Sequence, residues 1–235
     1  MSLEKTIDLF GPEKYWLKLV GFFVGIIILG ITCFIDDTKG IKSITKLIVQ
    51  ILAAVIVVIC GIRIEHFELP FFNNQIGLNN VLSYIITVCW LVGVTNAINL
   101  IDGLDGLSSG ISLIACISLM IIFTLNGSPI IAVVLIAALA GAIVGFLPYN
   151  FNPAKTFIGD TGSNFLGFSL AVISILGVAK TYTALVLIAP IIVLALPIFD
   201  TLFAIFRRIK NGKSLKAVFK ADKGHLHHRI VAKGF

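Results

Sequence analysis

Four short stretches of this chain carry side chains suited to phosphoryl chemistry. The first, Phe34-Ile35-Asp36-Asp37-Thr38-Lys39, ends the first long apolar run with two adjacent carboxylates. Adjacent carboxylates repel, so they persist most easily beside a cation or a basic ligand. A solvated helix end is the competing reading, but carboxylates at a helix C-terminus oppose the macrodipole. In the second stretch Asn96, Asn99 and Asp102 recur every third residue and share one helix face. Gly103 and Gly106 flank the neighbourhood of Asp105, permitting a tight turn and close approach of a ligand to the backbone. Hydrogen bonding between helices is the alternative use of the two amides.

The third stretch runs from Tyr149 and Asn150 through Phe157 to Gly159-Asp160-Thr161-Gly162. Backbone N–H groups at a helix start favour phosphate, and an Asp among them suits Mg²⁺. An ordinary N-cap acid is the alternative, and the pattern is not a Walker A loop. The fourth is His225-Leu226-His227-His228-Arg229 in a basic tail. Three histidines this close rarely complete a tetrahedral zinc site alone, and no Cys is near. A clamp for an anionic phosphate fits better. Acids for a divalent ion, amides, a glycine-flanked Asp and a His/Arg cluster together describe a site where one oxyanion attacks a metal-bridged diphosphate.

The elements that must carry these groups are set by composition. The 235 residues are 58% hydrophobic and 13% charged, with a mean hydropathy of +1.05. A soluble domain carries roughly twice that charged fraction, so lipid is the main solvent. Seven apolar stretches approach spanning length: Trp16–Ile35, Leu47–Ile62, Val81–Ile101, Ser109–Leu125, Pro129–Leu147, Asn164–Val178 and Ala184–Phe206. Between the second and third, Arg63–Asn79 alternates apolar residues around Pro70 and Asn73-Asn74, the pattern of a small hairpin outside the membrane. The expected fold is an all-α polytopic bundle of about seven spans with that hairpin. Cys33, Cys60, Cys89 and Cys116 sit in separate apolar runs and read as small packed hydrophobes. Charged residues precede the first run and no small-residue cleavage site follows it, which argues against a removable signal peptide.

Alternating the sides of these spans sorts the charges. Thirteen of the 18 Lys and Arg residues fall on one face, which the positive-inside bias makes cytoplasmic. All four Glu fall on the other face, whereas Asp36-Asp37, Asp102/Asp105 and Asp160 converge on the first. Acids at span ends default to function, because lipid makes them costly.

In this order and on one face, the four stretches resemble the polyprenyl-phosphate N-acetylhexosamine-1-phosphate transferases, in particular the branch that takes UDP-N-acetylglucosamine. The likeness runs from Ile35-Asp36-Asp37 to His225–Arg229 and includes Pro197-Ile198-Phe199-Asp200-Thr201. It implies transfer of HexNAc-1-phosphate from a UDP-sugar to polyprenyl (undecaprenyl) phosphate with release of UMP, at the cytoplasmic face of a bacterial plasma membrane, initiating wall teichoic acid or surface polysaccharide. It implies Mg²⁺, with Mn²⁺ as the alternative ion, held by Asp160 with Asn96. Asp36 and Asp37 become the catalytic acids. Substrate contacts fall to Lys46, Asn99, Asp102, Asp105, Asn150, Phe157 (stacked on uracil), His225, His227, His228 and Arg229. Partners are the UDP-sugar, the lipid phosphate and membrane lipid, with no nucleic acid; a homodimer follows from the resemblance alone.

Members of that family usually carry more spans than seven, so the chain reads as a single transferase domain lacking N-terminal and C-terminal spans. A UDP-MurNAc-pentapeptide phosphotransferase is the alternative enzyme. A divalent-cation or phosphate transporter is the alternative class, but it calls for polar groups near the midplane and often for inverted repeats. A CDP-alcohol phosphatidyltransferase needs different spacing around Asp102-Gly103-Leu104-Asp105, and a catalytically dead scaffold is the remaining reading.

Overall fold

A computed structural model describes residues 14–68 and 75–177. Six helices follow in order: α1 (Lys14–Lys39), α2 (Ser43–Ile59), α3 (Asn80–Ile101), α4 (Leu107–Leu125), α5 (Ile130–Asn150) and α6 (Gly159–Gly177). Two three-residue strands, β1 (His66–Glu68) and β2 (Gln75–Gly77), lie between α2 and α3 and pair antiparallel, with Phe67 opposite Ile76. The segment ahead of them is fixed to α3 by side chains. The Thr87 hydroxyl accepts from the Ile64 N–H at 3.0 Å, and Ser83 donates to the Ile64 carbonyl at 2.6 Å.

Each helix matches one of the first six apolar stretches, because a continuous apolar run in lipid can satisfy its backbone only as a helix. Four of them, α1, α3, α4 and α5, are long and apolar enough to cross a membrane. At 17 residues α2 falls short; it reaches about 26 Å against a hydrocarbon core of about 30 Å. The sixth helix is diluted by the polar residues of its first turns. Length and composition thus support four crossings where seven were expected, and the seventh stretch, Ala184–Phe206, lies outside the described residues.

The packing has α6 at its centre. Every residue from Leu166 to Gly177 is buried, and α6 touches α1, α3, α4 and α5. Outer helices divide their faces instead. On α1, Phe22, Leu29 and Cys33 turn inward, while Trp16, Val20, Phe23, Ile27, Ile31 and Phe34 are exposed. That outward stripe has helical spacing and no polar member, as expected of a surface solvated by lipid.

Close approach of α3 and α6 depends on a single small residue. A Cβ added at Gly167 would lie 2.7 Å from the Thr95 Cα and 3.0 Å from its carbonyl oxygen, and backbone cannot step aside. Small residues at such contacts let membrane helices meet closely. Gly167→Ala is therefore expected to lower the thermal unfolding midpoint of the detergent-solubilised chain, at a cost of about 1–3 kcal/mol. A midpoint equal to the parent's would show that the helices separate without penalty.

Candidate active site

Short connections place the C-terminal ends of α1, α3 and α5 beside the N-terminal ends of α2, α4 and α6. At this end the Lys46 ammonium, from the first turn of α2, bridges two carboxylates. It lies 2.7 Å from Asp36 Oδ2 on α1 and 2.5 Å from Asp160 Oδ2 on α6. Asp36 Oδ1 also accepts from the Ile41 N–H. From α3, Asn99 Nδ2 donates to Asp160 Oδ1 and to the Ser163 hydroxyl, each at 2.8 Å. Asp160 is thus held by side chains of two other helices, yet its own side chain keeps about a third of its surface open at 34%. The neighbouring acid Asp37 points elsewhere. Its carboxylate accepts from the N–H groups of Asp160 and Thr161, at 3.0 and 3.1 Å, and from the Thr161 hydroxyl at 2.6 Å.

Beneath these charges lies an amide cluster that the motifs did not reveal. Gln50 is buried one helical turn below Lys46. Its Nε2 donates to Asn164 Oδ1 at 2.8 Å, and its Oε1 accepts from Asn96 Nδ2 at 2.6 Å. Asn164 in turn donates to the Asp160 carbonyl at 2.7 Å. The signal was present in the sequence: a lone amide four residues from Lys46 in an otherwise apolar helix. Asn96 is committed to Gln50 and to the Val92 carbonyl. Of the two amides, Asn99 and not Asn96 is the one in contact with Asp160. Gln50→Leu would leave the buried Asn164 amide oxygen without its donor, at a cost of about 1–3 kcal/mol, and would remove one partner of the partly buried Asn96. The expected result is a lower unfolding midpoint and weaker binding of any ligand that uses Asp160, read together by ligand-dependent thermal shift.

The two remaining connections are tied down by acids and amides already singled out. Asp102 caps the end of α3 and accepts from the Ser108 hydroxyl at 2.6 Å. Burial pushes its carboxyl above the usual carboxylate range; the Ser108 hydrogen bond opposes this, and the Asp160 and Asp37 charges add to it. Asp105 Oδ2 accepts from the Ala154 N–H at 3.0 Å and from Asn152 at 3.3 Å. Asn150, buried, accepts from Ser109 at 2.7 Å and donates to the Thr156 carbonyl at 3.0 Å. Both residues thus hold the 151–158 loop, from which Phe157 projects with 74% of its surface exposed. His225, His227, His228 and Arg229 lie outside the described residues.

Among the described residues no three His, Cys, Asp or Glu converge as a metal cage. What the site offers is hard carboxylate oxygens from Asp160 and Asp36 around an ammonium. Mg²⁺ is commonly held by one or two carboxylates together with phosphate oxygens and water. The donor set therefore fits an ion shared with a phosphate ligand, and Asp160 is the more open of the two carboxylates.

The fold and the site define a helical membrane protein built around a carboxylate–ammonium centre. The chain belongs to glycosyl transferase family 4, whose model matches residues 19–178. It is 44% identical over 215 residues to a probable undecaprenyl-phosphate N-acetylglucosaminyl 1-phosphate transferase of Bacillus subtilis, covering 92% of this chain and 58% of that protein. It is 36% identical over 230 residues to the decaprenyl-phosphate N-acetylglucosaminephosphotransferase of Mycobacterium leprae, with coverages of 89% and 56%. A phospho-N-acetylmuramoyl-pentapeptide-transferase of Staphylococcus epidermidis is 36% identical over 220 residues, with coverages of 87% and 65%. The chain thus spans little more than half the length of the first two.

Proposed function

We propose that the chain catalyses Mg²⁺-dependent transfer of N-acetylglucosamine-1-phosphate, or another HexNAc-1-phosphate, from a UDP-sugar to polyprenyl phosphate, releasing UMP. The carrying observation is the meeting of Asp36, Lys46, Asn99 and Asp160, from four different helices, at one end of the bundle. Clustering at one end suits a reaction at a membrane surface and not a conduction path through the midplane, which counts against the transporter reading.

In the reaction, an oxygen of the lipid phosphate attacks the β-phosphorus of the UDP-sugar. The bond from that phosphorus to the oxygen bridging toward the uridine phosphate breaks, and UMP leaves. A phosphate monoester has its second pKa near 6, so the nucleophile is already largely dianionic at neutral pH and needs no strong base. Asp36 then serves to orient the acceptor and to hold Lys46. The Lys46 ammonium lies where it can meet phosphate oxygens once substrate enters. Asp160 would hold the Mg²⁺ ion, which would supply charge neutralisation at the diphosphate. Asn99 fixes the Asp160 carboxylate, while Asp102, Asp105 and Asn150 shape the two loops against which the nucleotide is placed. Phe157 stacks on the uracil, and the His225–Arg229 cluster meets the diphosphate.

We read the whole chain as one transferase domain of about seven spans in a bacterial plasma membrane. The acid end faces the cytoplasm, the paired strands lie outside, and a homodimer is the assembly. The sidedness rests on the excess of Lys and Arg assigned to the acid end. Wall teichoic acid or surface polysaccharide is the expected destination of the product.

The experiment is UMP release in membranes expressing this chain, with undecaprenyl phosphate and Mg²⁺. Release from UDP-N-acetylglucosamine that requires the lipid supports the proposal. Release from UDP-MurNAc-pentapeptide alone would assign the other donor, consistent with the Staphylococcus relative. Release from neither would sink the proposal for this chain.

A further inference from the structure

We propose that Asp37 is a positioning residue: a cap carried by α1 that fixes the first turn of α6, and so Asp160, and not a catalytic partner of Asp36. The kinetic part of this inference rests on the transferase reading; the structural part does not.

Consecutive residues of an α-helix point about 100° apart, so adjacent acids cannot serve one position. Asp36 turns to Lys46 and the Ile41 N–H. Asp37 turns to α6, more than a hundred residues further along the chain, and accepts three hydrogen bonds there. The first N–H groups of any helix lack intrahelical partners, and a side chain at the N-cap usually serves them. Here the residue before Gly159 is Ile158, whose side chain has no acceptor. Asp37 supplies the missing acceptor, and its negative charge at the start of α6 is favoured by the helix dipole.

The seat for this carboxylate is built by the neighbouring backbone. Gly159 has φ +65°, a conformation that side chains resist, and a Cβ there would come 3.1 Å from Asp37 Oδ2. Both carboxylate oxygens are engaged by donors. A local N-cap tolerates Asn nearly as well as Asp. This one does not, because an amide would turn an NH₂ toward an N–H. The same residue whose N–H is held by Asp37 carries the carboxylate held by Lys46 and Asn99. Loosening the cap therefore displaces Asp160 without touching a reacting atom.

The test uses the full chain in lipid nanodiscs with Asp37→Asn, Thr161→Val and the double substitution. Amide hydrogen exchange at Asp160 and Thr161 needs no substrate. It should quicken about five- to tenfold in Asp37→Asn, the size expected of a lost cap. Thr161→Val keeps the Asp37 charge and should quicken it less. UMP release should fall in Asp37→Asn with the shape of the pH–rate profile unchanged, and adding Thr161→Val should cost less in that background than in the parent. Unchanged exchange, or loss of the acid limb of the pH–rate profile, would overturn the inference and return Asp37 to a proton-accepting role. Absence of UMP release from the parent chain would count against the transferase reading alone, since the exchange result stands without it.

Discussion

Under the proposed reaction, Asp160→Asn is expected to lower turnover for lipid-dependent UMP release by about a hundred- to a thousandfold, the scale on which groups stabilising transition-state charge act. Its unfolding midpoint stays close to the parent's. The amide is nearly the same size, and one oxygen still accepts from Asn99. What disappears is the charge proposed to anchor the metal, together with half of the bridge to Lys46. With its carboxylate about a third open to solvent, Asp160 contributes little to stability through that bridge. The two readouts therefore separate. Measured in parallel, a collapse of stability would mark Asp160 as structural, and activity within tenfold of the parent would remove it from the metal site.

Lys46→Met gives the second large effect and shifts both readouts. Methionine matches the length of the stem and suits the helix, so the change isolates the ammonium. Asp36, whose side chain is only 9% exposed, and Asp160 would face each other with no cation between them. Removing one partner of a buried pair costs more than an exposed pair ever returns, and this half-buried bridge should lose about 2 kcal/mol in Mg²⁺-free buffer. Turnover should fall about a hundredfold. Adding Mg²⁺ should restore much of the unfolding midpoint but not the turnover, because the metal can replace the counter-charge and not the contact to substrate phosphate. An unchanged midpoint without Mg²⁺ would mean that the ammonium does not hold the two carboxylates together.

The helices were readable from the sequence because a lipid-facing helix must be apolar along its length. Their polar ends were not. The apolar run placed the start of α6 at Asn164, whereas the helix begins at Gly159. Its first turn is stabilised by Asp37 from another helix, an interaction with no local trace. The convergence of Asp36, Asp102 and Asp160 could be read from the parity of the spans. The division of labour between neighbours could not. Spacing put Asn96 and Asn99 on one face, but each step of three residues rotates by roughly 60°, enough to send Asn99 to Asp160 and Asn96 to Gln50. Gln50 itself belonged to no motif and became visible only when α2, α3 and α6 were brought together.

The burial of α6 from Leu166 to Gly177 bears on how the protein is made. With Asp160, Ser163 and Asn164 in its opening turns and serines at 169 and 174, this segment gains little from entering lipid alone. Ser163, Asn164 and Ser174 already donate to carbonyls of α6 itself. The Asp160 carboxylate and the Asn164 amide oxygen, however, meet their partners only when α2 and α3 are in place, and the Thr161 N–H meets Asp37 only beside α1. Insertion and assembly are then coupled. On this geometry α1, α2 and α3, apolar enough to enter lipid on their own, form a socket that α6 is expected to join after them. The step that seats the central helix is also the step that assembles the charged centre.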